Sequence, residues 1–161
     1  MWEKKIDEVR EMVINSIESL SDQEINTKPS DLEWNISEII LHLIAAEGRF
    51  LKLANQAAME GNNIRVAPAN LSPLDDRNQK HVAPIEPPSN FHSKDQLVSK
   101  LLNSRKKTHD FLNYFKENDL SNHSMNHHRF GEMPIWQVFE LIGKHEWRHL
   151  QQIEEVKKRI L

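Results

Sequence analysis

Apolar residues recur every three to four positions along four stretches of this chain, and this spacing limits its fold more than any other feature. The stretches run from about Trp2 to Leu20, from Asn35 to about Glu60, from Ser93 through Phe115, and from Pro134 towards Leu161. A period near 3.6 residues places such side chains on one face of an α-helix, whereas a half-buried strand alternates at every second residue. No stretch has a convincing strand pattern. The sequence therefore predicts four amphipathic helices.

Local signals mark the ends of three of these helices. Asn35 with Glu38, and Ser93 with Gln96, have the spacing of a capping box, in which each side chain binds the backbone N–H of the other residue. Gly61 suits the C-terminal end of the second helix, because glycine readily adopts the left-handed conformation found there. The proline that opens the fourth stretch suits a first helical position.

A long connection separates the second helix from the third. Residues 61–92 contain five of the seven prolines in the chain. A connection of this length is uncommon inside a compact domain and is usually functional or disordered. It would also allow the third helix to cross the bundle. We therefore predict an all-α protein with one domain over residues 1–161, a four-helix bundle with a long crossover loop between helices two and three.

The composition excludes several kinds of site and partner. The chain has no cysteine, which rules out disulfides, thiolate zinc sites and a cysteine nucleophile. A formal net charge of −3 gives no basic surface for a nucleic acid, so we expect no such partner. The most apolar run, IILHLIAA, is too short to span a membrane, and the charged N-terminus does not look like a signal peptide. We expect a cytoplasmic protein with no membrane contact.

The motif HEWRH places His145 and His149 one turn apart on the fourth helix, on its apolar stripe. Two imidazoles at this spacing can share one metal ion, although a histidine on an apolar stripe is more commonly a core residue with satisfied hydrogen bonds. His42 lies on the inward stripe of the second helix. We predict that these three side chains form an open divalent metal site. Zinc and nickel suit such ligands best, and iron is also compatible.

The remaining histidines lack this pattern, and we expect them to be solvated rather than ligating. The segment HSMNHH could nevertheless line the mouth of a site. The six residues are His81, His92, His109, His123, His127 and His128.

A protease of the H-E-x-x-H type does not fit this chain, because such enzymes take a third ligand from well beyond the motif helix. Only twelve residues follow His149, and no strand is predicted that could bind a peptide. Glu146 has two interpretations. It is a candidate catalytic base that reaches a metal-bound water, or it is a surface glutamate paired with a neighbouring lysine or arginine.

Two segments, LEWNISEIILHLIAAEGRFL and HRFGEMPIWQVFELIGKHEWRHLQQIEEV, resemble the DinB/YfiT superfamily. The resemblance lies in the order of W, H, FG and HxxxH-L-x-Q-I and spans nearly the whole chain. It implies a four-helix bundle, commonly dimeric, with a divalent metal on three histidines, which at matching positions are His42, His145 and His149. It also implies the transfer of a low-molecular-weight thiol to an electrophile, or isomerisation with a thiol as cofactor.

Three functions remain open at this point. The first is a metal-dependent thiol S-transferase that acts on a small electrophile. The second is a metal-dependent hydrolase with Glu146 as its base, and the third is a non-catalytic stress-response protein with a structural metal. We favour thiol transfer, because few acid–base groups lie on the predicted inner faces. Arg105 either binds the carboxylate of an anionic thiol or is a solvated charge.

Apolar residues outside the main stripes predict a homodimer face, unless the long loop covers them within one chain. These residues are Met12, Val98, Leu102, Trp136 and Trp147.

Overall fold

The computed structural model describes residues 2–161, except for the side chain of Trp2. These residues form six α-helices, one short 3₁₀ helix (Ser72–Asp75) and a two-stranded antiparallel sheet. The α-helices are α1 (Trp2–Ile17), α2 (Asp22–Ile25), α3 (Ile36–Glu60), α4 (Lys94–Tyr114), α5 (Glu117–Ser121) and α6 (Gln137–Ile160). The strands are β1 (Ser124–His127) and β2 (Gly131–Pro134). None of the helices in this part of the chain has the length and hydropathy that a membrane span requires.

The predicted ends of the two helices that flank the long loop are confirmed. At the start of α3, the side chain of Asn35 accepts a hydrogen bond from the backbone N–H of Glu38 at 2.8 Å, and the Glu38 carboxylate accepts one from the backbone N–H of Asn35 at 3.1 Å. Ser93 and Gln96 form the same box ahead of α4. Gly61 ends α3 with φ 59° and ψ 57°, the left-handed conformation in which a side chain would be strained.

The prediction that the chain has no strand is wrong, and so is the predicted start of the fourth helix at Pro134. Residues 124–134 form a hairpin in which Met125 pairs with Met133, and both side chains are buried. Pro134 ends β2 rather than opening a helix, and α6 begins three residues later. Each strand has only four residues, too few for an alternating pattern to stand out. Helix α1 also ends earlier than predicted, at Ile17.

The four long helices, α1, α3, α4 and α6, form the predicted bundle. Helix α6 packs against α1 and α3, and α4 packs against α3 and α1. The order around the bundle is therefore α1, α6, α3, α4, with α1 and α3 at opposite corners. The long connection does not carry α4 away from α3, since the two helices are neighbours. What matters for the site is that α3 lies directly beside α6.

The connection between α3 and α4 is held across the outer side of α6. The side chain of Gln137 accepts a hydrogen bond from the backbone N–H of Ala69 at 2.7 Å and donates one to the carbonyl of the same residue at 2.8 Å. Arg148 donates to the carbonyl oxygens of Asp76, at 2.7 Å, and of Gln79. Lys144 pairs with Asp75 at 2.9 Å. These contacts give the loop a fixed position, from which it can form a wall of a cavity.

Four buried charges cross the centre of the bundle, one from each long helix. Arg10 and Arg105 each bind both Glu47 and Glu146, with 2.6 Å from Arg10 to Glu47, 2.9 Å from Arg105 to Glu47 and 2.7 Å from Arg105 to Glu146. The side chain of Thr108 donates to Glu47 at 2.6 Å. We refer to Arg10, Glu47, Arg105 and Glu146 as the ion layer. The layer can be buried because its two positive and two negative charges balance and because each guanidinium donates hydrogen bonds to both carboxylates.

The ion layer corrects two expectations from the sequence. Glu146 is only 1% exposed, so it is not a surface glutamate. Arg105 is 5% exposed, so it is not a solvated charge, and its guanidinium is engaged by Glu47 and Glu146. Nothing in the spacing of these residues shows that they pair, because the partners are on different helices.

The arginines also keep Glu47 ionised. Burial alone would raise the pKa of the Glu47 carboxyl, but Arg10 and Arg105, together with the hydrogen bonds from Arg105 and Thr108, lower it to about 2. Burial likewise opposes the charged form of Arg105, yet Glu146 and Glu47 raise its pKa. All four groups therefore depend on each other, and the loss of one leaves a buried charge without a partner.

We expect the substitution Glu47→Gln to lower the free energy of unfolding by about 3–5 kcal/mol, because it leaves two buried guanidiniums with one carboxylate. Urea unfolding would measure this. Glu154→Gln is the control: Glu154 pairs with Lys157 at 3.4 Å with nearly half of its side chain exposed, so its loss should cost under about 1 kcal/mol. Equal effects of the two substitutions would contradict a structural role for the ion layer.

Candidate metal centre

Three histidines converge between α3 and α6, as the sequence predicts. The Nε2 atoms of His42 and His149 each lie 3.2 Å from Nε2 of His145. His42 is buried, and the other two are partly buried. His145 and His149 stand one above the other because they are one turn apart, and His42 meets them because α3 packs along α6.

The three imidazoles are neutral at physiological pH. Burial, followed by the charge of Arg49, lowers the pKa of His42 to about 4. Burial is also the main reason that the pKa of His149 is lowered to about 3 and that the pKa of His145 lies well below its usual value. Neutral imidazole is the form that binds a metal ion, so the protein holds these side chains ready for ligation.

The donor set fits a divalent ion. Two imidazole nitrogens bound tetrahedrally to one zinc at about 2.0–2.1 Å lie roughly 3.3 Å apart, close to the spacing of these Nε2 atoms. Nδ1 of His149 lies 2.7 Å from the side-chain oxygen of Gln152. This oxygen only accepts, so Nδ1 carries the proton and Nε2 presents its lone pair. Three protein ligands would leave further positions on the ion for a substrate.

Aromatic side chains surround the three histidines. The ring of Trp34 lies 5.1 Å from that of His42, and the ring of Phe50 lies 5.5 Å from that of His145, edge to face. Trp34 also donates through Nε1 to the carboxylate of Glu86 in the long loop, at 3.0 Å. These rings fix the orientation of two of the imidazoles and exclude water from their sides.

The histidines open into a cavity of about 610 Å³, a size suited to a small organic molecule. Its walls come from α3, α6, the hairpin and the long loop. The loop contributes residues on both sides of Lys80. The connection that the sequence left without a role thus completes the cavity.

Glu146 is absent from the described walls of this cavity, although His145 precedes it directly. Successive residues of a helix point about 100° apart, so His145 faces the cavity while Glu146 faces the ion layer. Both of its carboxylate oxygens accept hydrogen bonds, one from Arg10 and one from Arg105. This position does not favour Glu146 as a base. Arg105 is also absent from these walls, so it is not placed to bind a ligand there.

His127 lines the cavity, as the segment HSMNHH allows, but the expectation that it is solvated is wrong. It is 4% exposed, and burial is the main reason that its pKa falls to about 4. Its Nδ1 accepts hydrogen bonds from the backbone N–H groups of Arg129 and Phe130 at 3.1 and 3.3 Å, so the proton resides on Nε2. That Nε2 has no hydrogen-bond partner among the described residues. A buried donor of this kind costs about 1–3 kcal/mol.

The other histidines vary in position, but none of them is buried. His81 and His128 line the cavity, so the segment HSMNHH does reach it through His127 and His128. His123 accepts from the backbone N–H of Asn63 at 2.9 Å, and His109 contacts Asp7 at 2.9 Å.

Comparisons with known proteins agree with this architecture. The model of the DinB superfamily matches residues 5–153. The chain belongs to the DinB superfamily. The uncharacterized protein YuaE of Bacillus subtilis (strain 168) is 32% identical to this chain over 148 residues, which cover 91% of this chain and 91% of YuaE.

A solved structure has the same fold as this DinB protein. YfiT from Bacillus subtilis superposes with a TM-score of 0.69 and 15% identity, over 98% of this chain and 85% of YfiT. It is described as a probable metal-dependent hydrolase with an unusual four-helix bundle topology. At this identity the likeness concerns the fold, and it supports the bundle arrangement described above.

We expect the substitution Gln152→Ala to weaken zinc or nickel binding roughly 10- to 100-fold, because His149 loses the acceptor that fixes its tautomer. Competition with a chromogenic chelator would measure the affinity. Gln151→Ala is a matched control, since Gln151 lies in a groove between α1 and α6 and not in the cavity. If both variants bind metal like the parent protein, Gln152 does not position a ligand.

Acid should destabilise the metal-free protein. Above the usual histidine pKa of 6.5 neither the folded nor the unfolded chain binds a proton at these sites. Below pH 6.5 the histidines of the unfolded chain become protonated, whereas in the folded chain His42 stays neutral until about pH 4 and His149 until about pH 3. The unfolded chain therefore binds more protons, and the free energy of unfolding decreases as the pH is lowered. Urea unfolding of chelator-treated protein between about pH 7 and pH 5 measures the slope. The dependence of the unfolding free energy on pH should be shallower in His149→Gln. An unchanged slope would show that the buried histidines do not cause the loss of stability in acid.

Proposed function

We propose that this protein is a metal-dependent enzyme that transfers a low-molecular-weight thiol to an electrophilic small molecule. In this proposal His42, His145 and His149 hold the divalent ion, with zinc or nickel preferred and iron also compatible. The support comes from three converging neutral imidazoles, from the oriented tautomer of His149 and from a cavity of suitable size beside them.

A divalent ion on these ligands would lower the pKa of a thiol or a water molecule bound to it. The chain contributes the rest. Gln152 holds His149, Trp34 and Phe50 keep water from the sides of the site, and the cavity walls orient the electrophile. In the transfer the thiol sulfur forms a bond to the electrophilic carbon, the leaving group departs with its electron pair, and the thiol proton passes to solvent.

One observation favours thiol transfer over hydrolysis: the cavity offers no free carboxylate among the described residues. Glu33 binds Arg159 at 2.6 Å, Glu155 binds Arg77 at 2.7 Å, and Glu86 accepts from Trp34. Glu146 is held in the ion layer. Hydrolysis of an ester or amide requires a group that carries a proton to the leaving group, and only the wall histidines His81, His127 and His128 are left for that role among the described residues. Transfer of a thiolate requires mainly position and a lowered thiol pKa.

A metal-dependent hydrolase is the second candidate. The description of YfiT favours it, and the three-ligand site would suit it equally. A third possibility is a non-catalytic protein of a stress response in which the metal is structural. Structural zinc sites usually have four protein ligands, so three histidines argue against this alternative.

An assay with two substrates separates the candidates. We expect zinc- or nickel-loaded protein to conjugate cysteine to a chromogenic aryl halide, with a rate that requires both metal and thiol and is lost in His149→Ala. The same preparations are tested with p-nitrophenyl acetate in the absence of thiol. Hydrolysis of the ester together with no conjugation would overturn the proposal in favour of the hydrolase. If the fully metal-loaded protein catalyses neither reaction, the non-catalytic alternative is the one that remains.

We also propose that the protein is a homodimer. Met12 and Trp147 are each more than 40% exposed and line the same groove between α1 and α6, and Leu102 is exposed on α4. The long loop does not bury these residues. Light scattering should give twice the chain mass of 18.9 kDa at micromolar concentration, and a monomer would contradict the proposal.

A further inference from the structure

Arg49 is a half-buried cation on the cavity wall without a counterion. Within the described residues 2–161 its guanidinium makes no ion pair and no hydrogen bond. Burial lowers its pKa, since desolvation opposes the charged form. A partly desolvated guanidinium of this kind gains from an anion that shares its hydrogen bonds.

The other cations of the cavity are already engaged or are open to water. Arg159 pairs with Glu33 and Arg77 with Glu155. Arg148 is buried and donates to carbonyl oxygens of the long loop, and Arg129 donates to the carbonyl of Val82 at 3.3 Å. Lys80 is exposed. Arg77 keeps one donor without a partner, its Nε, but its charge is paired with Glu155. Arg49 is therefore the half-buried cavity cation, among the described residues, whose guanidinium has neither a carboxylate nor a carbonyl partner.

The space beside the three histidines is electropositive. Among the described residues, six cations, Arg49 and Arg148 among them, line the cavity together with three carboxylates, so the wall has an excess of positive charge. A divalent ion on the histidines would add two more positive charges, so a ligand that carries an anion would be favoured over a neutral one.

The position of Arg49 relative to His42 suits a compact ligand. Arg49 follows His42 by seven residues, which is two turns of α3 and a rise of about 10.5 Å on nearly the same face. Both residues line the same cavity, and side chains on a helix lean towards its N-terminus, so the guanidinium can reach back towards His42. A molecule with one end at the three histidines can therefore present its other end to Arg49.

We propose that Arg49 anchors an oxyanion of the substrate, a carboxylate or a phosphate, and so selects anionic small molecules. The proposal rests on the proposed function only in taking this cavity as the substrate site. A planar guanidinium matches either oxyanion with two parallel hydrogen bonds. Arg49 is then a specificity residue, and the chemistry at the three histidines does not depend on it.

Anion binding can be measured without any reaction. Acetate and inorganic phosphate, with acetamide as the neutral counterpart, are titrated into zinc-loaded protein and into chelator-treated protein, in which no metal can take the anion. Binding is followed by the NMR resonances of the Arg49 side chain and of the backbone amides of residues 46–50. We expect saturable binding of at least one anion and none of acetamide, with affinity about tenfold or more lower in Arg49→Gln.

Two further variants make the result specific. Arg49→Lys keeps the charge and should retain part of the affinity even where Arg49→Gln proves unstable in thermal unfolding. Lys80→Gln removes an exposed cation from the same cavity and should change little. Binding of acetate alone would identify a carboxylate as the recognised group, and binding of phosphate alone a phosphate.

The proposal is overturned if neither anion binds, or if both bind equally well to the parent protein and to Arg49→Gln. Loss of thiol conjugation leaves this test unaffected, because it measures binding to protein with or without metal. In the same way, failure of the anion to bind leaves the proposed reaction open.

Discussion

Four buried charges, one from each long helix, meet at the centre of the bundle, and the rotation of those helices depends on their pairing. Arg10, Glu47, Arg105 and Glu146 separate two apolar clusters, one around Phe139 and the other around Ile39. An apolar core tolerates small rotations of a helix, but a buried carboxylate that binds two arginines does not, because a lost contact leaves a charge in a medium of low polarity. The ion layer therefore defines which face of each helix points inward.

The position of the candidate metal centre follows from this arrangement. With Glu146 turned towards the arginines, His145 and His149 face α3, where His42 meets them. The same geometry removes Glu146 from the cavity and leaves the histidines among cations and aromatic rings. The long loop, held on α6 by Gln137 and Arg148, closes the remaining side. This arrangement suits the proposed chemistry, because the site offers three neutral imidazoles to a metal and no free carboxylate among the described residues.

The parts of this structure that the sequence could predict are those encoded over a few neighbouring residues. The capping boxes at Asn35 and Ser93 and the glycine at the end of α3 are local signals, and so is the one-turn spacing of His145 and His149. The ion layer is not local, since its partners lie between 37 and 136 residues apart. The hairpin could not be predicted because its strands are short. The buried position of His127 could not be predicted either, because its hydrogen-bond partners are backbone groups in the turn of that hairpin.

The central claim is that three imidazoles, and no other side chains, hold a divalent ion between α3 and α6. X-ray absorption spectroscopy of the zinc-loaded protein tests this most directly, because it counts and identifies the ligands around the metal. The account predicts three imidazole nitrogens at about 2.0–2.1 Å, completed by a solvent ligand. A spectrum with fewer than three imidazoles, or with carboxylate ligands in their place, would contradict it, as would a protein that takes up no metal.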